Sequence, residues 1–460
     1  MNKHNTFYLT FIALVSALGG FLFGYDWVVI GGAKPFYEVF FQITNAPAMQ
    51  GWVMSSAILG CIIGVMTSGS LADRYGRKPM MFLAAIIFII AAIGTGAVSN
   101  LSWFIVLRIF GGIGIGIASN ISPMYIAEIA PADERGRYVS INQLTIVLGI
   151  LSAQLINWLI AEPVAATATV GDVLASWNGQ MGWRWMFWAG GVPAVIFFLV
   201  LFFIPESPRW LATHAHTTKA EKVFQRIGGT DYAKDQLHAI QQTEQAETTP
   251  GFFSLFRGKI GKILLVGIVI AVFQQWCGIN VIFNYAQEIF AAAGYGVSDI
   301  LFNIVVTGIT NVVFTFIGMY TVDKLGRRAL MLFGASSLAV IYAIIGICYY
   351  YQVTGVTLLI LVVLAIAAYA MTLAPITWVV ISEIFPNSIR AKAMAISTFA
   401  LWTACFILTY TFPLLNKGLG AHGTFWLYGL ICVVGFVFIK QRLPETKGKS
   451  LEEIEKELVG

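Results

Sequence analysis

Asp73-Arg74-Tyr75-Gly76-Arg77-Lys78 is a short charged sentence between two long apolar stretches. The chain writes it again half its length later, as Asp323-Lys324-Leu325-Gly326-Arg327-Arg328. Two further pairs follow in the same order. Glu128-Ile129-Ala130-Pro131, with Arg135 and Arg137, returns as Glu383-Ile384-Phe385-Pro386 with Arg390 and Lys392. Pro205-Glu206-Ser207-Pro208-Arg209 has a looser partner in Pro444-Glu445-Thr446-Lys447-Gly448. Three ordered pairs at nearly constant offset mark an internal duplication.

The surroundings of the repeats say what was duplicated. The 460 residues are 58% hydrophobic and only 11% charged, where a soluble chain carries about a quarter charged residues. Apolar runs lie near 8–32, 50–71, 79–98, 101–127, 138–161 and 183–204, then near 261–292, 298–322, 329–351, 357–382, 393–414 and 423–442. Each approaches or exceeds the roughly 20 residues that a helix needs to cross hydrocarbon. Spanning β-strands are far shorter and alternate in polarity, which excludes a barrel. The expected fold is therefore an all-α membrane protein of twelve transmembrane helices in two six-helix pseudo-repeats.

Charge sets the expected orientation. With both termini cytoplasmic, only Lys34, Arg184 and Lys417 of the 28 Lys and Arg fall outside, and Arg108 lies within a span. The positive-inside rule selects that topology over its inverse. The formal charge of +5 then reflects loops facing an anionic leaflet and asks for no nucleic-acid partner. The first apolar run is too long for a cleavable signal peptide and carries a charge. All five cysteines sit within apolar runs without metal-ligand spacing, and all five histidines fall in tails or loops. No metal or other cofactor is expected, and no enzyme: nucleophile–base pairs and nucleotide-binding loops are missing from the pattern.

The expected organisation is a six-helix half over 1–204, an intracellular helical linker over 205–260, a second half over 261–443 and a tail over 444–460. Within that tail, Ser450 followed by Glu452 and Glu453 reads as a capped helix start. Six spans per half keep each half's ends on one side of the membrane. The repeats are then parallel, related by an axis along the membrane normal. The charged motifs fall in the loops between spans two and three and between spans eight and nine, where Gly76 and Gly326 permit the turn. Positive charge alone would anchor topology, but it does not explain the acids placed beside it. The set Asp73, Arg74, Arg77, Glu128, Arg135, Arg137, Glu206 and Arg209, with Asp323, Arg327, Arg328, Glu383, Arg390 and Glu445, is expected to form ion pairs that hold a cytoplasmic gate shut.

The motifs also carry a resemblance. The two charged loops, Pro205-Glu206-Ser207-Pro208-Arg209-Trp210-Leu211, Gln274-Gln275-x-x-Gly278-Ile279-Asn280 and Pro444-Glu445-Thr446-Lys447-Gly448 together resemble the sugar porter family of the major facilitator superfamily, nearest its bacterial sugar–proton symporters. The likeness runs from Phe21-Leu22-Phe23-Gly24-Tyr25-Asp26 to the tail. It implies the major facilitator fold with short intracellular helices, alternating access, a monosaccharide and a proton as partners, a lipid bilayer as solvent, function as a monomer, and residence in the cell (inner) membrane.

Two charges lie deep in apolar spans, Asp26 in the first and Arg108 in the fourth. At 1.5 Å per residue both sit about 10 Å below the outer surface, so the two can meet. Intramembrane charges are functional candidates by default because each is costly unless paired. Beside arginine the carboxylate stays charged; parted from it, desolvation favours the protonated form. The resemblance assigns this pair the coupling of proton to sugar. A permanent salt bridge would leave a uniporter instead, and a transporter-like sensor would ask for longer cytoplasmic extensions.

A sugar site wants amides for hydroxyls and aromatic faces for the C–H side of the ring. Gln143 in span five, Gln274, Gln275 and Asn280 in span seven, Asn311 in span eight, Trp378 in span ten and Trp402 in span eleven match sugar-contacting positions of the family. Phe23 joins them by the same resemblance. Some positions depart from the pattern. Ile150 stands where xylose symporters have a second glutamine, and Phe283 also matches glucose transporters, which favours a hexose. Asn284 replaces a tyrosine common to both groups, and Leu401 replaces the amide that usually precedes Trp402.

Overall fold

The computed structural model describes residues 4–131, 134–165, 168–246, 255–385 and 389–445. The expected tail helix after Ser450 lies outside them. Eleven described helices are long and apolar enough to cross a membrane. In the first repeat the long helices are α1 (Thr6–Phe40), α2 (Pro47–Tyr75), α3 (Arg77–Ala97), α4 (Leu101–Ile129) and α5 (Arg135–Ile160). A short α6 (Val170–Ala175) follows, held by a capping box between Thr169 and Asp172. The sixth span is built from a π-helical turn, α7 (Trp183–Ala189) and α8 (Gly191–Val200).

The linker is helical too, as α9 (Pro208–Thr213) and α10 (Thr217–Ala246). Gly229, with φ of 86°, breaks α10 in its middle. The first part of α10 reaches the start of α1, where the Asn5 N–H donates to Ile227 O at 2.7 Å and Arg226 lies over the Tyr8 ring.

In the second repeat the helices are α11 (Gly258–Trp276), α12 (Ile279–Asn284), α13 (Ala286–Ala292), α14 (Val297–Leu325), α15 (Arg327–Tyr350), α16 (Val356–Met371), α17 (Leu373–Glu383) and α18 (Arg390–Arg442). Two of its spans are discontinuous, at Gly278 between α11 and α12 and at Thr372 between α16 and α17. The 53-residue α18 is two helices joined at Gly420, where φ is 69°. Divided there, it supplies spans eleven and twelve and completes the expected count.

Small residues let these helices approach. A Cβ on Gly24 of α1 would strike the Ile146 carbonyl of α5, and one on Gly60 of α2 would strike the Ile109 carbonyl of α4. Such contacts replace the hydrophobic drive that lipid cannot supply between helices.

The contacts gather the chain into two compact units that cut across the repeats. Unit 1 is Met1–Trp27, Leu59–Ile150 and Phe187–Thr248; unit 2 is Val28–Ile58, Leu151–Met186 and Thr249–Gly460. The first repeat therefore gives the last part of α1, the first part of α2 and the last part of α5 to the unit that holds the second repeat. In unit 2, Asn157 Nδ2 of α5 donates to Val29 O of α1 at 3.0 Å. Gly51 of α2 lies against the Tyr410 carbonyl of α18.

Candidate functional site

In unit 1, α1 and α4 bring the two intramembrane charges together. Arg108 Nη1 lies 3.1 and 3.2 Å from the two Asp26 carboxylate oxygens, and Nη2 reaches the Asp26 carbonyl at 3.5 Å. Arg108 is 3% exposed and the Asp26 side chain 18%. The guanidinium also faces the Phe187 ring of α7, 5.7 Å from its centroid. Arg108 Nε is buried and makes no hydrogen bond among the described residues. The pair is thus enclosed on the arginine side, and the carboxylate is its more exposed partner. Phe23 stands one turn earlier on α1, edge-on to Trp27. Gln143 and Ile150 lie on α5 in the same unit, half-buried and buried respectively.

Unit 2 holds the amides of span seven. Gly278 takes φ of 86°, a conformation that favours glycine, and α11 ends just before it. A Cβ there would also press on the Tyr428 ring. The break brings together side chains five residues apart. Asn280 Nδ2 donates to Gln275 Oε1, Gln275 Nε2 donates to Gln274 Oε1 at 2.6 Å, and Gln274 Nε2 donates to the Tyr369 hydroxyl of α16 at 2.7 Å. Every amide thus points its nitrogen down the row toward Tyr369. The Asn280 amide also lies 3.8 Å from Cys405 Sγ of α18.

Gln274 and Gln275 are buried, as are Phe283, Asn284, Asn311 and Trp402. Trp378, by contrast, is 37% exposed. The Asn284 Oδ1 atom is buried without a hydrogen-bond partner among the described residues. That leaves an acceptor ready for a hydroxyl donor.

The repeated charged loops fold into two cages, one per unit. In unit 1, Glu206 accepts from the backbone N–H groups of Arg77 at 3.0 Å and Lys78 at 3.1 Å, closing the start of α3. Gly76 precedes them with φ of 99°. The Arg77 guanidinium bonds Glu128 at 2.8 Å and reaches Asp73 at 3.3 Å. The Ser207 hydroxyl donates to Glu128 at 2.5 Å. Burial pushes the Glu206 carboxyl above its usual range, opposed by the N–H groups of Ser207, Lys78 and Arg77 and by the Arg77 charge.

In unit 2, Glu445 accepts from the N–H groups of Arg327 at 2.9 Å and Arg328 at 3.1 Å, and Arg327 pairs with Glu383 at 3.2 Å. The Asp323 side chain lies outside the described residues. Arg390 donates to the Phe385 carbonyl. Arg74 lies over the neighbouring Tyr75 ring, whereas Arg135, Arg137 and Arg209 are exposed. The expected pairing of span-end acids with loop arginines therefore runs through Arg77 and Arg327.

Several neighbours escaped the sequence reading. Tyr369 sits in the apolar run Ala367-Ala368-Tyr369-Ala370 and reads as core. Gln154, 2% exposed with both amide atoms lacking a hydrogen-bond partner among the described residues, lies against Gly308 of α14. Lys34 lies beyond the apolar run 8–32, yet α1 runs past Pro35 to Phe40 and buries both Lys34 and Glu38. Their i, i+4 spacing was the available signal.

The family model described as Sugar (and other) transporter matches residues 12–458. The chain is 39% identical over 455 residues to the arabinose-proton symporter of Bacillus subtilis (strain 168), covering 99% of this chain and 96% of that one. The partially occluded inward-open conformation of the xylose transporter XylE from E. coli superposes with a TM-score of 0.84 at 34% identity, over 96% of this chain and 99% of that chain. The major facilitator superfamily proton:xylose symporter XylE bound to 6-bromo-6-deoxy-D-glucose gives 0.82 at 36% identity, over 99% and 100%. The fold is accordingly that of the major facilitator superfamily.

Proposed function

We propose a function for a chain whose family is established: it belongs to the Sugar (and other) transporter family, and it works as a proton-coupled monosaccharide symporter by alternating access. The observation that carries this reading is the buried Asp26–Arg108 pair. The Arg108 cation lies against the Asp26 carboxylate, a contact that helix movement can make and break. Parting the pair is the step to which this reading ties the proton, because an intramembrane charge is costly without its partner. Proton binding is then tied to helix movement, which the alternation of the two repeats supplies. Relatives named as arabinose-proton and proton:xylose symporters support the assignment of proton and sugar.

The sugar-binding role falls to Gln274, Gln275 and Asn280, with Asn284, Asn311, Phe283, Trp378 and Trp402 in unit 2 and Phe23, Gln143 and Ile150 in unit 1. The row from Asn280 to Tyr369 fixes which amide atoms donate. A buried site with fixed polarity discriminates strongly against a sugar that leaves its groups unpaired. Ile150 and Phe283 offer apolar surface, which favours a hexose over a pentose. The Arg77 and Arg327 cages are the cytoplasmic gate, both termini are cytoplasmic in the cell (inner) membrane, and the monomer is the working unit.

The Asp26→Asn protein in sealed vesicles tests the reading. Sugar accumulation against a gradient and sugar-driven alkalinisation of an unbuffered medium should both vanish, while exchange of labelled for unlabelled sugar persists. Undiminished accumulation would refute the coupling role, and wild-type protein that moves sugar without protons would be a uniporter.

A further inference from the structure

The far end of α1 carries a second buried charge cluster, which the Asp26–Arg108 pair does not use. Lys34 is 1% exposed and its ammonium lies 2.8 Å from Glu38 Oε1, one turn further on. The same ammonium pairs with Glu288 Oε1 of α13, which belongs to the second repeat. Gln50 Nε2 of α2 donates to Glu38 Oε2 at 3.2 Å. Lys34 also faces the Tyr285 ring, 5.4 Å from its centroid. The other titratable groups around the cluster are the phenols of Tyr37 on α1 and Tyr428 on α18, beside that of Tyr285. Phenols carry no charge in the physiological range.

The charges do not balance. Two carboxylates share one ammonium, and Glu288 Oε2 is buried without a hydrogen-bond partner among the described residues. The Lys34, Glu38 and Glu288 side chains are 1%, 7% and 26% exposed, and two carboxylates around one ammonium do not both ionise freely. One added proton brings the cluster to neutrality. The Asp26–Arg108 pair has the opposite character, being neutral as it stands.

We propose that Lys34, Glu38 and Glu288, once assembled, bind one proton shared between the two carboxylates. The proton is taken from water as Glu288 meets the Lys34–Glu38 pair, forming one carboxyl O–H bond. It returns to water when α13 moves away and that bond breaks. The cluster thus makes the meeting of α1 with α13 easier in acid and harder in alkali, independently of Asp26.

Infrared titration of the purified full-length protein reads this without transport. A carboxylic-acid C=O band should be lost as the medium becomes alkaline, persist in Asp26→Asn, and be absent from both Glu38→Gln and Glu288→Gln. A second reading uses sugar exchange across pH. The wild-type rate should fall on the alkaline side, and Glu288→Gln, whose cluster is neutral without a proton, should flatten that fall. If the band survives both glutamine variants, or vanishes only in Asp26→Asn, the cluster holds no proton. If the alkaline fall is unchanged in Glu288→Gln, the inference fails even where the variant folds normally.

Discussion

The cage around Arg77 and the cage around Arg327 were written by the same duplicated sentence, and they differ in their side chains more than in their backbones. Both begin with a glycine in a left-handed conformation, φ 99° at Gly76 and 89° at Gly326. Both close the following helix with a distant carboxylate that accepts two consecutive N–H groups, Glu206 in one and Glu445 in the other. Those groups are helix-start donors with no intrahelical partner, so the helix dipole and the orphan N–H groups favour the same anion. Beyond that cap the cages part. Arg77 and Glu128 are 11% and 10% exposed and 2.8 Å apart, whereas Arg327 and Glu383 are 15% and 21% exposed and 3.2 Å apart. Duplication has kept the device that ends a span and let the ion pair loosen.

The sharpest way to break that comparison is to remove each arginine. Arg77→Ala leaves Glu128 buried without its cation, a loss of about 3 kcal/mol for a buried pair. Arg327→Ala, at the more exposed pair, should cost about 1 to 2 kcal/mol, nearer the cost of a charged hydrogen bond. Denaturant unfolding of both variants in the same lipid or detergent measures the difference. Equal losses would mean that burial and distance do not rank the two cages.

Much of this architecture is legible in the sequence because hydropathy and topology are linear properties. The twelve spans follow from run length, and the meeting of Asp26 with Arg108 follows from counting depth along two helices. The contacts that escape are those that depend on which way a helix turns or how far it continues. Tyr369 lies among alanines and bears no mark of the amide that it fixes. Lys34, Pro35 and Glu38 look like the end of a span, yet proline is tolerated when neighbours satisfy the backbone. Glu288 sits in an apolar run whose helical break at Tyr285 no composition announces. The two compact units could not be read from the repeats at all, since they divide α1, α2 and α5 in mid-helix.

A smaller effect sharpens the picture of the first cage. Ser207→Ala removes the hydroxyl that donates to Glu128 and the N-cap acceptor that receives the Trp210 N–H at 3.3 Å. A hydrogen bond to a charged group contributes about 1.5 kcal/mol and a lost cap about 0.5 kcal/mol. The expected loss is therefore about 2 kcal/mol, below that of Arg77→Ala. A loss as large as the arginine variant's would make the serine, and not the ion pair, the centre of the cage.

The smallest expected effect is one of pH. Burial raises the Glu206 carboxyl above its ordinary value, so the folded chain holds this proton more tightly than the unfolded chain does. Its contribution to stability is therefore fully present below the ordinary range, about 4.3 for glutamate, and is lost as pH rises through the higher folded value. Glu206→Gln does not titrate. The stability of wild type minus that of Glu206→Gln should thus grow as the medium is acidified through that window, read as a difference in unfolding midpoints at matched pH. A difference that shrinks on acidification would mean that the three N–H bonds and Arg77 outweigh desolvation. The cage would then be held by the charge of Glu206 in spite of its burial.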